Sequence, residues 1–547
     1  MRVLGLGGSH HDYGACLVRD GVVVSAVEEE RLTRVKMAFG LGPRLAKAEA
    51  VDYVLDEAGL GIGDVDLIVA NDFLNPVYAA RFADRVHWIG HHLSHAASTF
   101  YTSPFEEAAV LVLDGRGSDV GTDAGLCCET TTSYRADPSG LRPLAAHAGR
   151  VTLADERSVD PCEDSIGWMY ELVSREIGFG GPGGQGAGKT MGLAAYGGPR
   201  YVEAMRDWYS LSDGRFRQST EQQIAMRRHI VSELAGAGER GRDEVRADLA
   251  HAVQHHVERI IVELARWLHK QTGQSRLCLA GGVALNSVAN FKILEETPFE
   301  EVHIVPAAGD SGTSLGAALY GHYVHGGAGW TPRTEPFTPY LGREYGTADI
   351  DAALDAVSDR VRVSRPAELL VSVALRLAAG DVVGWFQGRS EIGPRALGNR
   401  SILADPRPAW MRDRINEKVK HREPFRPFAP IVRQARQAEF FGTDIPVYYM
   451  LLVAPVLEHK RQQIAAVTHA DGTARLQTVT AALNPRLDAL LAAFERLTGV
   501  PVLLNTSFND NDEPIVESPA DALRCFLNTD LDALVLGDTL VTKVPAP

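Results

Sequence analysis

The stretch MRVLGLGGSHHDYGACLVRDGVVVSAVEEE, residues 1–30, alternates apolar runs with glycine turns. The runs VLGLGG, ACLVRD and VVVSAVEEE predict three strands, and Asp20-Gly21 marks a hairpin turn between the last two. A similar pattern returns over residues 108–135, where AAVLVLDGRGSDVG precedes GLCCETTTSYRAD. Two copies of strand, acidic-glycine turn and hairpin predict a duplicated α/β core.

The rest of the chain continues as α/β and predicts a second domain. Residues 242–272 carry apolar residues at helical spacing, and the following RLCLAGGVALN predicts a buried strand. The stretch 328–350 is rich in Gly, Pro and Thr and is interpreted as a linker. The strand-like segments DVVGWFQ and PVLLNTSFND lie beyond it. We therefore expect one domain over 1–345 and another over 346–547.

Length and composition exclude several classes of protein. A chain of 547 residues is too long for one hydrophobic core. With 23% charged and 7% aromatic residues, wholesale disorder is excluded. No apolar run approaches the roughly 18 residues of a membrane-spanning helix. The net charge of −15 argues against nucleic-acid and anionic-membrane partners.

The N-terminus and the cysteines favour a cytoplasmic protein. The first residues lack the cationic segment, apolar stretch and cleavage site of a secretion signal. The six cysteines show no CxxC pattern and no dense framework, which is typical of reduced thiols in a cytoplasm.

Three motifs are interpreted as structural. Residues 183–190, GGQGAGKT, match a P-loop, but SREIGFGGP before them is not a strand, so a glycine loop near a ligand is favoured. The GxSxG motif at 312–316 has no evident Asp and His partners. His251 and His255 are four apart on a predicted helix without a nearby loop carboxylate, which favours surface or core histidines.

A metal site is predicted from two histidines and two aspartates. His91 and His95 in HHLSH are spaced to face one point from a helical turn. Asp114 ends the apolar run LVLD beside a glycine, and Asp310 follows another strand in a glycine turn. Such a set suits Fe²⁺, Zn²⁺ or Mn²⁺, and the spacing does not choose between them.

The motif GGVALN predicts part of a nucleotide cleft. Gly281 and Gly282 allow the backbone to approach a ligand closely, and Asn286 offers hydrogen bonds to a ribose or a base edge. The motif follows a predicted strand, and ligands of α/β proteins bind at the carboxyl ends of strands.

The second domain contains a cluster of basic residues in which arginine predominates; only nine of the 55 basic residues of the chain are lysines. Gly, Pro and Phe interrupt the cluster, and rigid loops of this kind present guanidinium groups to a compact anion such as phosphate. An anion pocket is therefore favoured over a solvated basic face. The basic residues are Arg389, Arg395, Arg400, Lys418, Lys420, Arg422, Arg426 and Arg475, and Asn505, Ser507 and Asn509 add neutral donors.

Taken together, the motifs resemble the O-carbamoyltransferases of the NodU/CmcH family, which includes nodulation-factor enzymes and tailoring enzymes of antibiotic pathways. The resemblance extends over nearly the whole chain. It rests on HDYGACLV, EEERLTR, HHLSHAAS, VLDGRGSD, GKTMGLAAYG, GGVALN, GDSGTSLGAA, GRSEIGPRALGNRSILADPR, KHREPFRPFAP, DGTARLQT and LNTSFN.

The resemblance implies a fold and an activity for each domain. The first domain is expected to have the duplicated actin-like, sugar-kinase-like ATPase fold of the tRNA threonylcarbamoyl-transferase. The second is expected to be YrdC-like and to form carbamoyl adenylate from ATP and carbamoyl phosphate. The first would then pass the carbamoyl group to a hydroxyl of a small-molecule natural product and release AMP.

The resemblance also implies roles for individual residues. His11 corresponds to the catalytic histidine, and a general base is chemically sensible because the attacking alcohol must lose a proton. The four metal positions take iron in the family. The implied sets are His91, His95, Asp114 and Asp310 for the metal; Gly282, Asn286 and Ser314 for the nucleotide; and Arg395, Lys420, Arg426, Arg475, Asn505 and Ser507 for carbamoyl phosphate and its adenylate.

Two positions depart from the family's EGKTMGLAPYG, in which Glu and Pro stand where this chain has Ala187 and Ala195. Two other functions are alternatives. One is a tRNA threonylcarbamoyl transferase, which the net charge disfavours. The other is a non-enzymatic actin-like nucleotide-binding regulator, which would not use the arginine pocket. The expected partner is a small-molecule hydroxyl acceptor, with neither nucleic acid nor membrane, and a homodimer is left open.

Overall fold

The computed structural model describes residues 1–122, 125–152, 162–181 and 184–544, and the chain divides into two units. The first comprises residues 1–24 and 39–337, and the second comprises residues 25–38 and those from 338 onward. The sequence predicted an uninterrupted first domain over 1–345. The structure differs in giving residues 25–38 and 338–345 to the second unit.

The strands of both units follow in chain order. They are β1 (Arg2–Gly7), β2 (Gly14–Arg19), β3 (Val22–Glu28), β4 (Leu67–Asn71), β5 (Val86–Ile89), β6 (Ala108–Leu113), β7 (Asp119–Thr122), β8 (Gly125–Asp137), β9 (Gly140–Arg150), β10 (Ser210–Ser212), β11 (Arg215–Arg217), β12 (Arg276–Ala280), β13 (Glu301–Ile304), β14 (Tyr340–Glu344), β15 (Val361–Ser364), β16 (Val383–Phe386), β17 (Arg389–Glu391), β18 (Arg400–Ala404), β19 (Ala429–Arg433), β20 (Val453–Pro455), β21 (Thr473–Arg475), β22 (Gln477–Val479), β23 (Val502–Ser507), β24 (Ala533–Leu536) and β25 (Thr539–Lys543).

The α-helices are likewise numbered along the chain. They are α1 (Glu29–Thr33), α2 (Glu49–Glu57), α3 (Pro76–Ala79), α4 (His91–Phe100), α5 (Ile166–Ser174), α6 (Ala187–Ala194), α7 (Val202–Met205), α8 (Thr220–Gly236), α9 (Gly238–Thr272), α10 (Ser287–Glu296), α11 (Thr313–Tyr320), α12 (Thr347–Asp355), α13 (Leu369–Ala378), α14 (Trp410–Lys418), α15 (Pro485–Thr498) and α16 (Pro519–Asn528).

The first unit contains the same sheet topology twice. One sheet has the order β3-β2-β1-β4-β5, and the other runs β9-β8-β6-β12-β13, with β7 also paired to β8. In the first sheet, β1 is antiparallel to β2 and parallel to β4. In the second sheet, β6 is likewise antiparallel to β8 and parallel to β12. The predicted duplicated α/β core is thereby confirmed, and its topology agrees with the expected actin-like architecture.

Helix α11 packs closely against β1 and α4 because glycines line the contacts. A Cβ at Gly7 of β1 would lie 2.0 Å from the Ser314 nitrogen, and a Cβ at Gly316 would lie 1.8 Å from the Ser94 carbonyl oxygen. A residue with a side chain at Gly7 or at Gly316 would push the neighbouring backbone away, so only glycine allows these close contacts. This packing brings the start of α11, where Asp310 lies, next to the histidines of α4.

The second unit is built on an eight-stranded mixed sheet of order β15-β25-β24-β16-β18-β23-β19-β22. The segments predicted as strands form its centre as β16 and β23, and Trp385 and Phe386 of β16 are fully buried. The stretch 328–350, interpreted as a linker, contains β14 and the first residues of α12. None of the helices in the described part of the chain combines the length and apolar character that a membrane span requires.

Candidate functional site

The four residues predicted to bind a metal converge in the first unit. His91 and His95 lie on α4, Asp114 follows β6, and Asp310 precedes α11. Each offers a ligand atom within 4.8 Å of the others, and all four are buried. The Nε2 atoms of the histidines are 3.1 Å apart, and His91 Nε2 lies 3.2 Å from Asp114 Oδ2 and 3.7 Å from Asp310 Oδ1. His95 Nε2 lies 3.6 Å from each carboxylate.

Polar groups behind the cluster fix its geometry. Asn71 Oδ1 lies 3.0 Å from His91 Nδ1, which leaves Nε2 facing the carboxylates. Asn71 Nδ2 donates to Thr313 Oγ1, and Thr313 donates to the Asp310 carbonyl oxygen at 2.6 Å. The sequence reasoning missed Asn71 and Thr313, since an isolated polar residue at a strand end or helix start carries no spacing signal.

Burial and charge act in opposite directions in this cluster. Burial alone would lower the pKa of His91, but its contacts with Asp114 and Asp310 raise it to about 10. Burial would raise the pKa of Asp310, but the contacts with His91 and His95 hold it well below its usual range. Two imidazoles and two carboxylates, closed off from water and directed at one point, are the donor set that a divalent transition metal takes. The residues therefore fit a metal ion.

His11 lies beside this cluster, and its catalytic role stays a prediction. Its Nδ1 is 3.2 Å from Asp12 Oδ2 and 3.9 Å from Asp310 Oδ2. Burial would lower the pKa of His11, but the Asp12 hydrogen bond and the nearby carboxylates raise it to about 9. Asp12, which holds Nδ1, was not singled out from the sequence.

The residues predicted to contact a nucleotide are engaged within the first unit. The Gly282 N–H donates to Asp114 Oδ1 at 3.0 Å, and so supports a cluster residue. Asn286 caps α10, and its amide exchanges hydrogen bonds of 3.0 and 3.1 Å with Gln254. The Ser314 hydroxyl donates to the Ser311 carbonyl. Their role toward a nucleotide stays a prediction.

The second unit brings together four arginines from three parts of the chain: Arg395; Arg422 and Arg426 from the connection between α14 and β19; and Arg475 at the end of β21. Burial lowers the pKa of Arg395 to about 10, and the charge of Arg426 contributes. The pKa of Arg475 is well below its usual range, because of burial and then the charges of the other three. Cations that lower one another's pKa form a site of excess positive charge, which favours an anion.

Buried atoms at this cluster have no protein partner. Hydrogen-bond partners are missing for the Nε atoms of Arg395 and Arg475 and for Asn505 Oδ1. Buried polar groups are normally satisfied, so these atoms indicate a place for a polar ligand. His469 Nε2 is a further such atom. Burial lowers the pKa of His469 to about 4; the charge of Asp471 opposes this shift, and the charge of Arg475 adds to it. His469 was not found from the sequence.

Lys420 and Ser507 form a second, adjoining group. Lys420 is buried, and its Nζ donates to the Ser507 carbonyl and hydroxyl at 2.9 and 3.2 Å, and to Asn509 Oδ1 at 2.5 Å. Burial, followed by the charge of Arg422, lowers its pKa well below the usual range. In this structure Lys420 thus organises Ser507 and Asn509, and anion binding by it stays a prediction.

The structure also places the P-loop-like motif, the GxSxG motif and the His251/His255 pair, which were interpreted from the sequence as structural. The described residues before the P-loop-like motif, 166–179, are helical and not a strand, and Gly183 lies outside the described residues. Ser314 of the GxSxG motif lies inside α11. His251 Nδ1 faces the Ala194 carbonyl from α9, and His255 is exposed there.

Comparison with known proteins places the chain. Residues 2–80 and 77–319 match the carbamoyltransferase N-terminus family, and residues 374–543 match the carbamoyltransferase C-terminus family. These matches cover most of the chain and both units. The chain therefore belongs to the carbamoyltransferases, a family of enzymes.

Similar proteins agree with this assignment. The nodulation protein NolNO of Sinorhizobium fredii is 38% identical, with 97% of this chain and 79% of that protein covered. The 3'-hydroxymethylcephem-O-carbamoyltransferase of Amycolatopsis lactamdurans is 35% identical, with 64% of each covered. Among solved structures, full-length HypF in the phosphate- and nucleotide-bound form is 16% identical at a TM-score of 0.42, over 60% of this chain and 47% of HypF.

Proposed function

We propose that this protein is an ATP-dependent O-carbamoyltransferase. The second unit, as a YrdC-like domain, forms carbamoyl adenylate from carbamoyl phosphate and ATP. The first unit passes the carbamoyl group to a hydroxyl of a small-molecule natural product. The observation that carries the proposal is the group of four arginines, because a protein that bound only ATP through the first unit would have no use for it.

The first half-reaction is a positioning problem at this arginine cluster. Water displaces phosphate from the carbamoyl carbon, and an oxygen of the resulting carbamate attacks the α-phosphorus of ATP with loss of pyrophosphate. Apart from water, the reactants and released products of these steps are anions, and the guanidinium groups hold the reacting anions together against their mutual repulsion. Arg395, Arg426 and Arg475 are the proposed anion ligands, with Asn505 and Ser507 as neutral contacts.

In the second half-reaction the hydroxyl oxygen attacks the carbamoyl carbon, its proton leaves, and AMP departs. His11 is the proposed base, since Asp12 at Nδ1 fixes the ring and leaves Nε2 to accept the proton. The carboxylates of Asp114 and Asp310 are among the groups that raise the pKa of His11. A cation bound to them would oppose that rise and favour the neutral base.

His91, His95, Asp114 and Asp310 would hold the metal, for which we propose Fe²⁺. When bound there, a divalent ion supplies positive charge to the phosphate of the adenylate. Gly282, Asn286 and Ser314 are the proposed nucleotide contacts.

A small acceptor is favoured over tRNA by the net charge of −15, since tRNA binding requires a basic surface. The cephem carbamoyltransferases, by their name, act on a hydroxymethyl group of a small molecule. We therefore propose a hydroxylated natural product as acceptor.

The proposal is tested by incubating the purified protein with ATP and carbamoyl phosphate. Pyrophosphate release that requires carbamoyl phosphate is the expected result, and AMP release should follow when a suitable alcohol is added. Pyrophosphate formation that ignores carbamoyl phosphate, or none with any candidate alcohol present, would exclude the transferase.

A further inference from the structure

Residues 25–38 are an N-terminal segment that forms part of the second unit. They contain the end of β3, helix α1 and the motif EEERLTR, which lies outside the metal cluster and the arginine cluster. Glu28, Glu29, Glu30 and Arg31 are all buried, and Arg31 is only 1% exposed. Buried charged side chains are costly to a protein unless they are paired, so this run needs a specific reason.

Arg31 and Glu28 hold one glycine of a distant loop from both sides. Arg31 Nη2 donates to the Gly393 carbonyl oxygen at 2.8 Å, and the Gly393 N–H donates to the Glu28 carboxylate. Arg31 Nε also lies 3.7 Å from Glu28 Oε2 and 3.9 Å from Glu30 Oε1. The backbone of Gly393 is thereby fixed through both of its polar groups.

Gly393 begins the sequence Gly393-Pro394-Arg395, which leads directly to the arginine cluster. Gly393 has a φ of +98°, a conformation that favours glycine. The Pro394 ring fixes its own φ and so removes one of the backbone rotations between Gly393 and Arg395. Beyond Arg395, the same loop is held by Glu391 Oε1, which accepts the Leu397, Asn399 and Arg400 N–H groups at 2.7–3.1 Å.

The surroundings of Arg31 separate it from the anion ligands themselves. Burial would lower the pKa of Arg31, but the charges of Glu28, Glu30, Glu517 and Glu391 raise it. By contrast, the arginines of the cluster lower one another's pKa. Arg31 Nε and Nη1, like Nε of Arg395 and Arg475, have no hydrogen-bond partner, but Glu28 and Glu30 lie 3.7 and 3.9 Å from Arg31 Nε. The charge of Arg31 is therefore compensated within the protein, and we do not count it among the anion ligands.

We propose that Arg31 is a positioning residue for Arg395: through Gly393, it sets the place of that guanidinium in the carbamoyl-phosphate pocket. The inference rests on the proposed function. It means that a segment near the N-terminus, encoded within the first domain of the sequence, completes the anion site of the second unit.

A double-mutant cycle tests this inference in the full-length protein. Wild type, Arg31→Met, Arg395→Met and the double variant are compared by the KM for carbamoyl phosphate in pyrophosphate release. If Arg31 acts through Arg395, Arg31→Met raises this KM about tenfold, and the double variant is no worse than Arg395→Met. If the two arginines contributed independently, the double variant would show the product of the two single-variant increases in KM.

Arg414→Met is the matched control. Arg414 is a half-buried arginine of the same unit that also bonds a glycine carbonyl, that of Gly380, and pairs with Asp532. Its replacement should leave the KM within about twofold of wild type and combine independently with Arg395→Met.

The outcomes are distinguishable. An unchanged KM in Arg31→Met, or independent effects in the cycle, would overturn the positioning role while wild-type activity upholds the proposed function. Absence of carbamoyl-phosphate-dependent pyrophosphate in the wild type would overturn both. Should Arg31→Met fail to fold, as judged by circular dichroism, Arg31→Lys is used in the same cycle, because it keeps the charge and loses the planar fork that bonds Gly393.

Discussion

The Nε2 atoms of His91 and His95 face each other at 3.1 Å across one turn of α4, with two carboxylates behind them. The i, i+4 spacing puts both rings on one face of α4, Asn71 at the end of β4 orients the His91 ring, and the segment before α11 brings in Asp310. The cluster therefore depends on the packing of α4 against α11 and β4, and its integrity is sensitive to their spacing.

The glycine at the contact of α4 and α11 should be essential for this cluster. Gly316→Ala places a Cβ 1.8 Å from the Ser94 carbonyl oxygen, and the helices must separate. We expect the free energy of unfolding to fall by about 1–3 kcal/mol and the metal content of the purified protein to drop. Gly236→Ala in α8 is the control, since its Cβ meets no atom within 4 Å. Equal metal content and stability in the two variants would refute the packing argument.

Removing one arginine of the cluster should weaken the first half-reaction. In Arg475→Met, pyrophosphate release at low carbamoyl phosphate should fall about 100-fold, since a charge-assisted contact to a desolvated anion is lost. Arg436→Met is the control because Arg436 pairs with Glu439 and Glu495. Wild-type rates in Arg475→Met would remove the arginine cluster from the reaction.

The second unit should not fold properly from its C-terminal residues alone. A fragment of residues 338–547 lacks Arg31 and also Arg34, whose guanidinium donates to the Ile515 and Pro514 carbonyls at 2.7 Å. We expect a broad, weakly cooperative thermal transition, sharpened when residues 25–38 are fused to the fragment. A sharp transition of equal midpoint with and without residues 25–38 would show that the segment is dispensable.

A buried histidine in the first unit should make stability depend on pH. Burial lowers the pKa of His256 to about 4, while its ring contacts the Tyr209 hydroxyl and the Val202 carbonyl at 2.8 and 2.7 Å. The unfolded state binds the proton more readily, so this contribution is complete above about pH 6.5 and is lost as the pH falls through 4.

Urea unfolding between pH 7 and pH 4 measures this effect. His256→Gln should remove up to about 3 kcal/mol of the pH dependence seen in the wild type. Parallel pH profiles of the two proteins would exclude His256 as a source.

The duplicated core could be predicted because each copy begins with an apolar strand and an acidic-glycine turn, a local signal. The His91–His95 pair was predictable from helical spacing, and Asp114 from its place after a buried strand. Asn71 and Thr313 were not, because they meet each other and His91 only through the packing of α4 and α11 beside the end of β4. Local sequence does not encode which elements meet.

The assignment of residues 25–38 to the second unit was also beyond the sequence. EEERLTR has the composition of an exposed helix, yet Arg31 of this motif is buried near Gly393 and Glu517. Gly393 lies 362 residues further along the chain than Arg31. The hydrogen bonds between Lys420 and Asn509 and between Asn286 and Gln254 also join residues that are distant in sequence, and motif matching does not predict them.

We propose that adenylate formation and carbamoyl transfer occupy different units, and His91→Ala separates the two steps. First-turnover pyrophosphate release from ATP, dependent on carbamoyl phosphate, is measured alongside the metal content, with exposed His255→Ala as control. We expect His91→Ala to lose the metal and to keep the pyrophosphate burst, whereas the control keeps both. Loss of the burst together with the metal, in a protein that remains folded, would overturn this division of the two steps between the units.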